Sequence, residues 1–195
     1  MSTEGTKGII LTHGAGSRAD APLLIALGDA FEQAGFQVVR HTLYFRTVKP
    51  KGPPHPKDAA GDQAGLLEAV KEMRREGCGK VYVGGHSYGG RQASIMASEH
   101  PGLVAALLLL SYPLHPPEKP QQLRTAHLPN LRTPSFFVHG AKDTFGTEEE
   151  MTTALKLIPG RTKLFMSPGA GHDLGGGKGT FAAKCTSQFI AFSAL

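Results

Sequence analysis

One stretch, residues 80–100, constrains the fold more than any other because it passes from an apolar run to a helical pattern through a serine-containing turn. The apolar run 81–83 predicts a short buried strand, and residues 92–100 predict a helix. Between them, Gly85–Gly89 reads Gly-His-Ser-Tyr-Gly, a match to the G-x-S-x-G pattern. In a strand–turn–helix context, this pattern holds its serine in a strained turn with the hydroxyl exposed. Ser87 is therefore the candidate nucleophile.

The G-x-S-x-G match is weak on its own, since a strand-to-helix loop can contain a serine by chance. The stronger signal is an aspartate and then a histidine after later strands, in the order Ser, Asp, His. Asp143 and His172 follow Ser87 in that order, and each comes after a later predicted strand. This order favours a catalytic turn over an ordinary loop.

Apolar runs and helical patterns alternate along the whole chain, as strands and helices do in an α/β protein. Six apolar runs predict strands, at residues 7–13, 36–41, 81–83, 103–110, 135–139 and 162–166. Five stretches with helical spacing predict helices, at residues 22–34, 59–76, 92–100, 147–158 and 181–192. The predicted fold class is therefore α/β, a three-layer α/β/α arrangement with a mostly parallel sheet of about six strands. We expect a single domain over residues 1–195, because no linker or internal repeat interrupts this order.

The candidate functional groups fall at the carboxyl ends of the predicted strands, where open parallel sheets collect their sites. Ser87 Oγ would attack a carbonyl carbon, and His172 in the glycine-rich loop 169–179 would accept its proton. Asp143 would hold the imidazole in the required tautomer. The oxyanion needs two N–H donors, which we expect from Tyr88 and from Ala15 in the first strand's loop.

Other titratable side chains near these positions have simpler interpretations. Asp173 adjoins His172 and is poorly placed to reach that ring, so we expect a cap or turn residue. Glu148 to Glu150 lie in the first turn of a predicted helix, where the helix dipole favours negative charge. Three histidines are expected to be structural: His13, His86 and His139. His86 is also expected to point away from the side of the turn on which Ser87 lies.

Composition excludes several classes of protein. With 40% hydrophobic and 19% charged residues in 195, the chain is ordinary for a globular domain. Residues 1–8 are polar and lack a signal-peptide core, and the longest apolar run, 103–110, is too short to span a membrane. Cys78 and Cys185 fit reduced thiols better than a disulfide framework. We therefore expect a cytoplasmic protein without a membrane partner.

The net charge of +5 lies partly in the proline-rich basic segment 46–57. Such a segment could attract an anionic partner or substrate, but a solvated surface loop is the simpler interpretation. No aromatic residues interleave with its charges, so no nucleic-acid partner is expected. The nine histidines show no metal-ligand spacing, so we expect no metal site, and the mechanism requires no cofactor.

Several strings carry a family resemblance, at residues 13–16, 84–93, 110–117, 133–140 and 143–146. They resemble the small dienelactone-hydrolase-like group of alpha/beta hydrolases, whose eukaryotic relatives include a testis-expressed protein and a chromatin acetyltransferase subunit. The resemblance covers nearly the whole chain. It implies the alpha/beta-hydrolase fold and a triad of Ser87, Asp143 and His172, and it implies no particular substrate.

The sequence therefore predicts a serine hydrolase without a separate cap domain that cleaves a small-molecule ester or thioester through an acyl-enzyme. The irregular segment 111–130 is expected to form one wall of the pocket, with Tyr112 and Leu114 as its substrate contacts. The alternative is a non-catalytic binding or scaffold protein that retains the fold. The oligomeric state is left open.

Overall fold

The computed structural model describes residues 5–195, so residues 1–4 of the polar N-terminal stretch lie outside the described part of the chain. The six strands are β1 (Thr6–Thr12), β2 (Phe36–His41), β3 (Cys78–His86), β4 (Leu107–Leu110), β5 (Ser135–Gly140) and β6 (Thr162–Ser167). The helices are α1 (Pro22–Gln33), α2 (Tyr44–Val48), α3 (Ala59–Arg75), α4 (Tyr88–Glu99), α5 (Glu148–Leu155) and α6 (Phe181–Ser193). Three short 3₁₀ turns lie at Pro56–Asp58, Leu128–Asn130 and Leu174–Gly177.

The six strands form one sheet in the order β2-β1-β3-β4-β5-β6, and every neighbouring pair is parallel. This confirms the predicted fold class, and the sheet is parallel throughout. The chain first moves outward from β1 to β2 and then returns to place β3 on the other side of β1. Such a reversal opens a crevice at the carboxyl ends of the two strands, where ligands bind in open α/β sheets.

Helices cover both faces of the sheet because alternate side chains of each strand point to opposite sides. In β4, Leu107 and Leu109 join the core that contains side chains of α3, α4 and α5. Leu108 and Leu110 join the second core, which contains side chains of α1 and α6. A strand buried on both faces is apolar throughout, as β4 is. No cap is evident over the carboxyl ends of the strands in residues 5–195.

Several element boundaries differ from the sequence predictions, and α2 was not predicted; the two largest shifts are of four residues. The strand predicted at 103–110 begins only at Leu107, because the chain before it leaves a surface turn in which the Leu103 N–H donates to the His100 carbonyl. Of residues 103–106 only Val104 and Ala106 are buried, and an apolar run alone does not show where pairing with the neighbouring strand begins. The helix predicted at 92–100 begins earlier, at Tyr88, since two glycines hid its first turn from the pattern.

Candidate active site

The turn after β3 holds Ser87 in a strained backbone conformation. Its φ of 51° and ψ of −117° lie outside the regions that L-residues normally occupy. The Ser87 N–H donates to the Leu110 carbonyl of β4 at 2.8 Å, and α4 begins at the next residue. The strain is therefore fixed by the sheet on one side and by the helix on the other, which is the geometry expected of a nucleophile elbow.

Two glycines around this turn allow α4 to approach the sheet closely. A Cβ on Gly85 would lie 2.6 Å from the Gly90 Cα, and a Cβ on Gly89 would lie 2.5 Å from the His13 carbonyl oxygen. Both collisions would be with backbone atoms, which no change of rotamer relieves. The G-x-S-x-G spacing is therefore a packing requirement of this fold.

We expect Gly85→Ala to lower the free energy of unfolding by about 3 kcal/mol, because the added methyl group overpacks a contact made of backbone. Urea denaturation monitored by circular dichroism measures the change. Gly16→Ala is the matched control, since a Cβ on Gly16 has no heavy atom within 4 Å. Equal stabilities of the two variants would contradict the packing argument.

The structure brings the predicted serine, histidine and aspartate side chains into one hydrogen-bonded line. The distance between His172 Nε2 and Ser87 Oγ is 2.8 Å, and that between His172 Nδ1 and Asp143 Oδ2 is also 2.8 Å. Asp143 follows β5 and His172 follows β6, and a Cβ on Gly140 would lie 2.6 Å from the Ala170 carbonyl oxygen. The two loops therefore meet so closely that only glycine fits at position 140.

The Asp143 carboxylate is shielded from water and held in its ionised form. Its side chain is fully buried, whereas the His172 side chain is 26% exposed. Burial raises the pKa of Asp143, but hydrogen bonds from the His172 ring and the Phe145 N–H outweigh it and leave the pKa below its ordinary value. An ionised Asp143 keeps the proton of neutral His172 on Nδ1, and Nε2 is then free to accept the proton of Ser87.

Because the pKa of Asp143 is lowered in the folded chain, this carboxylate should make the free energy of unfolding depend on pH in the acid range. Its carboxylate stabilises the folded chain above the unfolded-state pKa of about 3.9, and this stabilisation is lost as pH falls through the lower folded-state value. We therefore expect the difference in unfolding free energy between the wild type and Asp143→Asn to be smaller near pH 3 than near pH 5. Urea denaturation at both pH values tests this, and an unchanged difference would contradict it.

Two aromatic side chains hold the His172 loop in place. The Phe145 ring stacks on the His172 ring, with centroids 4.2 Å apart. His86 Nε2 lies 2.8 Å from the His172 carbonyl oxygen, to which it donates a hydrogen bond. Burial lowers the pKa of His86, so its ring is neutral. The expectation that His86 points away from this side of the turn is wrong, because the fold of the loop 169–179 brings the His172 backbone to it.

The two expected oxyanion donors have no protein acceptor in residues 5–195. Tyr88 is the first residue of α4, where a helix leaves its N–H groups unpaired. The Gly14 carbonyl accepts hydrogen bonds from His13 Nδ1 at 2.9 Å and from the Ser17 N–H at 3.2 Å. A trans peptide directs the next N–H, that of Ala15, to the opposite side. Both donors line cavities that reach Ser87.

Comparison with known families supports the fold. The profile of a family described as an alpha/beta hydrolase domain matches residues 5–185. The chain belongs to the alpha/beta hydrolase family. In an alpha/beta hydrolase, the serine of the G-x-S-x-G turn, the acid and the histidine follow one another in the chain order that Ser87, Asp143 and His172 have here.

Several solved structures share the alpha/beta hydrolase fold at low sequence identity. Est1E from Butyrivibrio proteoclasticus, with bound ferulic acid, is 17% identical with a TM-score of 0.76, covering 98% of this chain and 91% of that one. Dienelactone hydrolase from Anabaena variabilis is 21% identical with a TM-score of 0.72, covering 95% and 84%. A structure of the metagenome-derived lipolytic enzymes LipS and LipT is 15% identical with a TM-score of 0.73, covering 98% and 95%. At these identities the likeness establishes the fold alone.

A cavity of about 510 Å³ reaches Ser87 in this alpha/beta hydrolase. One wall is the proline segment 53–56, which the sequence suggested was a solvated loop. Arg46 connects this segment to the loop after β1. Its Nη2 donates to the Ala15 carbonyl at 2.5 Å, and its Nη1 donates to the Lys49 carbonyl at 3.2 Å. The Arg46 side chain is buried, whereas the rest of the segment is largely exposed, so the segment is a surface loop, as expected, that also borders the cavity.

The structure places Tyr112 and Leu114 in the core and not on the cavity wall. Tyr112 is 1% exposed, its ring packs edge-on against Phe137, and its hydroxyl donates to the Arg124 carbonyl at 2.6 Å. Leu114 lines a separate groove. Pro113, between them, lines the Ser87 cavity instead. The chain after β4 alternates, so its large apolar side chains turn inward while the residue between them faces the cavity.

The other titratable side chains that the sequence places near the triad residues have structural roles. The Asp173 side chain accepts a hydrogen bond from the Gly175 N–H at 3.0 Å, and Thr147 and Glu150 form a capping box at the start of α5. His139 is fully buried, and its Nε2 donates to the Gly146 carbonyl at 2.8 Å. Within residues 5–195, no group of three or more His, Cys, Asp or Glu side chains could hold a metal ion. None of the helices described is long and apolar enough to cross a membrane.

Proposed function

We propose that this chain is a serine hydrolase that cleaves a carboxylic ester or thioester through an acyl-enzyme on Ser87. The observation that carries the proposal is the unbroken line of hydrogen bonds from Ser87 Oγ through His172 to Asp143, with both links at 2.8 Å. Residues joined in this way activate a hydroxyl that is otherwise a weak nucleophile near neutral pH. The line lies beside an open cavity that a small substrate can enter.

The first half-reaction forms the acyl-enzyme. Ser87 Oγ forms a bond to the carbonyl carbon while His172 Nε2 takes the hydroxyl proton. The carbonyl oxygen becomes an oxyanion, which accepts hydrogen bonds from the N–H groups of Tyr88 and Ala15. The intermediate then collapses: the bond to the leaving oxygen or sulfur breaks, and that atom takes the proton from His172.

The second half-reaction restores the enzyme. A water molecule gives a proton to His172 as its oxygen attacks the acyl carbon, and the oxyanion again lies against the same two N–H groups. Collapse breaks the bond between Ser87 Oγ and the acyl carbon, releases a carboxylic acid and returns the proton to Ser87. Asp143 stays ionised throughout and stabilises the imidazolium form of His172.

The family and the structural neighbours support an acyl substrate of modest size. The neighbours include esterases and a dienelactone hydrolase, and one of them binds ferulic acid. The strings at residues 13–16, 84–93 and 110–117 further favour the dienelactone-hydrolase-like group. Since no cap is evident in the described residues, the cleft favours a small or extended acyl group over one that needs full enclosure.

Stopped-flow measurement with 4-nitrophenyl acetate tests the proposal. We expect a burst of 4-nitrophenolate close to one equivalent, followed by slower turnover, because 4-nitrophenolate is a good leaving group and the acetyl-enzyme should form faster than it hydrolyses. Peptide mass spectrometry after acid quenching should locate the acetyl group on Ser87. A folded protein that neither shows a burst nor becomes acetylated at Ser87 would favour the non-catalytic alternative.

A further inference from the structure

Cationic side chains line two of the cavities around Ser87. Three adjoining cavities meet at Ala15 beside Ser87, and no Asp or Glu lines any of them among the residues described. Their lining includes five cationic side chains: Arg18, Arg46, Lys51, Arg91 and Arg124. A cleft with charges of one sign concentrates ligands of the opposite sign.

Arg91 and Arg124 lie in the same cavity as Ser87. Arg91 is on the first turns of α4, four residues after Ser87, and its side chain makes no hydrogen bond or ion pair with any residue in the range 5–195. Arg124 Nη1 donates to the Pro113 carbonyl at 3.2 Å, and this guanidinium likewise has no carboxylate partner in the described chain. Two half-buried cations thus share one cavity without a counter-charge.

The carboxylate of Asp62 accepts hydrogen bonds from the Tyr88 hydroxyl and the Phe45 N–H and not from either arginine. Two titratable side chains that interact with this pair, His127 and Tyr112, carry no negative charge. Burial, and after it the charge of Arg91, lowers the pKa of Arg124. Burial and Arg91 likewise lower the pKa of His127 to about 4, so that ring is neutral near pH 7. Burial raises the pKa of Tyr112, whose hydroxyl is therefore not ionised. Since partly buried like charges destabilise each other, an anion bound between them would relieve the repulsion.

We propose that Arg91 and Arg124 bind an anionic group, a carboxylate or a phosphate, carried by the ester or thioester substrate; this inference rests on the proposed function. Guanidinium groups bind both anions through paired, charge-assisted hydrogen bonds. Most of the other residues that line the cavity are apolar, among them three prolines of the segment 53–56, Pro113 and Phe145. They would contact the carbon skeleton that separates the scissile carbonyl from the anionic group.

The test compares esters that differ only in one anionic group. One pair is mono-4-nitrophenyl adipate and its distal methyl ester, with the carboxylate in the acyl part; the other is 4-acetoxybenzoate and its methyl ester, with the carboxylate in the alcohol part. We expect kcat/KM to favour the anionic member of at least one pair by about tenfold or more. Competition by acetate and by inorganic phosphate, at constant ionic strength, then distinguishes a carboxylate subsite from a phosphate subsite.

Variants of Arg91 and Arg124 test whether the preference for the anionic ester depends on these two side chains. Arg91→Gln and Arg124→Gln should each remove most of it, whereas Arg91→Lys and Arg124→Lys keep the charge and should retain several-fold selectivity. Arg132→Gln is the matched control. Arg132 is exposed and precedes β5, so it lies at the amino ends of the strands, whereas Ser87 lies at their carboxyl ends. It removes the same charge and should leave the ratio unchanged.

The outcomes separate this inference from the proposed function. Equal kcat/KM values within both ester pairs, with Ser87 acetylated normally, would overturn the anion subsite and leave the hydrolase proposal intact. A preference that survives both glutamine variants, or that Arg132→Gln also removes, would equally overturn it. If no ester acylates Ser87, with an adipoyl or an acetyl group, the hydrolase proposal itself is overturned.

Discussion

Replacing Ser87 with alanine is expected to lower kcat for ester hydrolysis by about 10⁴-fold or more, because the variant lacks the oxygen that forms the acyl-enzyme. The fold should survive the change. The substitution removes only Oγ and its hydrogen bond to His172, so the free energy of unfolding should change by no more than about 1 kcal/mol. Alanine also meets the same backbone strain at φ 51° that serine meets.

Ser111→Ala is the matched control for this substitution. Ser111 also has a positive φ, of 47°, it follows the strand next to that of Ser87, and its buried Oγ has no hydrogen-bond partner in the described chain. Steady-state kinetics on both variants, with denaturation curves beside them, separates loss of chemistry from loss of fold. Normal turnover by Ser87→Ala would contradict the assignment of the nucleophile.

Asp143→Asn is expected to lower kcat/KM by about 10³- to 10⁴-fold. An asparagine amide can donate to Nδ1 of His172, which favours the tautomer with the proton on Nε2. That nitrogen then no longer accepts the proton of Ser87. The amide oxygen still accepts the hydrogen bond from the Phe145 N–H, so the loop after β5 should keep its conformation.

Asp173→Asn provides the comparison for this second substitution. Asp173 adjoins His172 in sequence, but its side chain accepts from the Gly175 N–H, and the His172 ring bonds Asp143 and Ser87 instead. Replacement of Asp173 should change kcat/KM less than threefold, since only a local turn is affected. Activity lost in Asp173→Asn and retained in Asp143→Asn would reverse the assignment of the acid.

The sequence predicted the fold well because its signals were of two independent kinds. Alternating apolar and helical patterns predicted the parallel sheet, and the structure confirms it with six strands. The G-x-S-x-G turn could be located from the sequence because its close backbone contacts admit only glycine, and glycines at that spacing are visible in the sequence. The predicted order of Ser87, Asp143 and His172 likewise depended only on where strands end, and their side chains meet in the structure.

The pocket could not be predicted because its lining depends on how irregular segments fold. Tyr112 and Leu114 stood in the correct segment, but which of two adjacent residues turns inward is decided by packing against Phe137. Arg91 was missed because α4 begins at Tyr88 and not at residue 92, and that start places Arg91 one helical turn from Ser87. No local pattern in the sequence reveals such contacts between distant loops.

Labelling with a fluorophosphonate probe tests the central claim most directly, because the probe reacts with a serine whose hydroxyl is activated by a neighbouring base. Mass spectrometry then locates the modified residue. If Ser87, His172 and Asp143 act together, Ser87 should be labelled rapidly in the wild type and not measurably in His172→Ala. The absence of labelling in the folded wild-type protein, or labelling at another serine, would contradict the account.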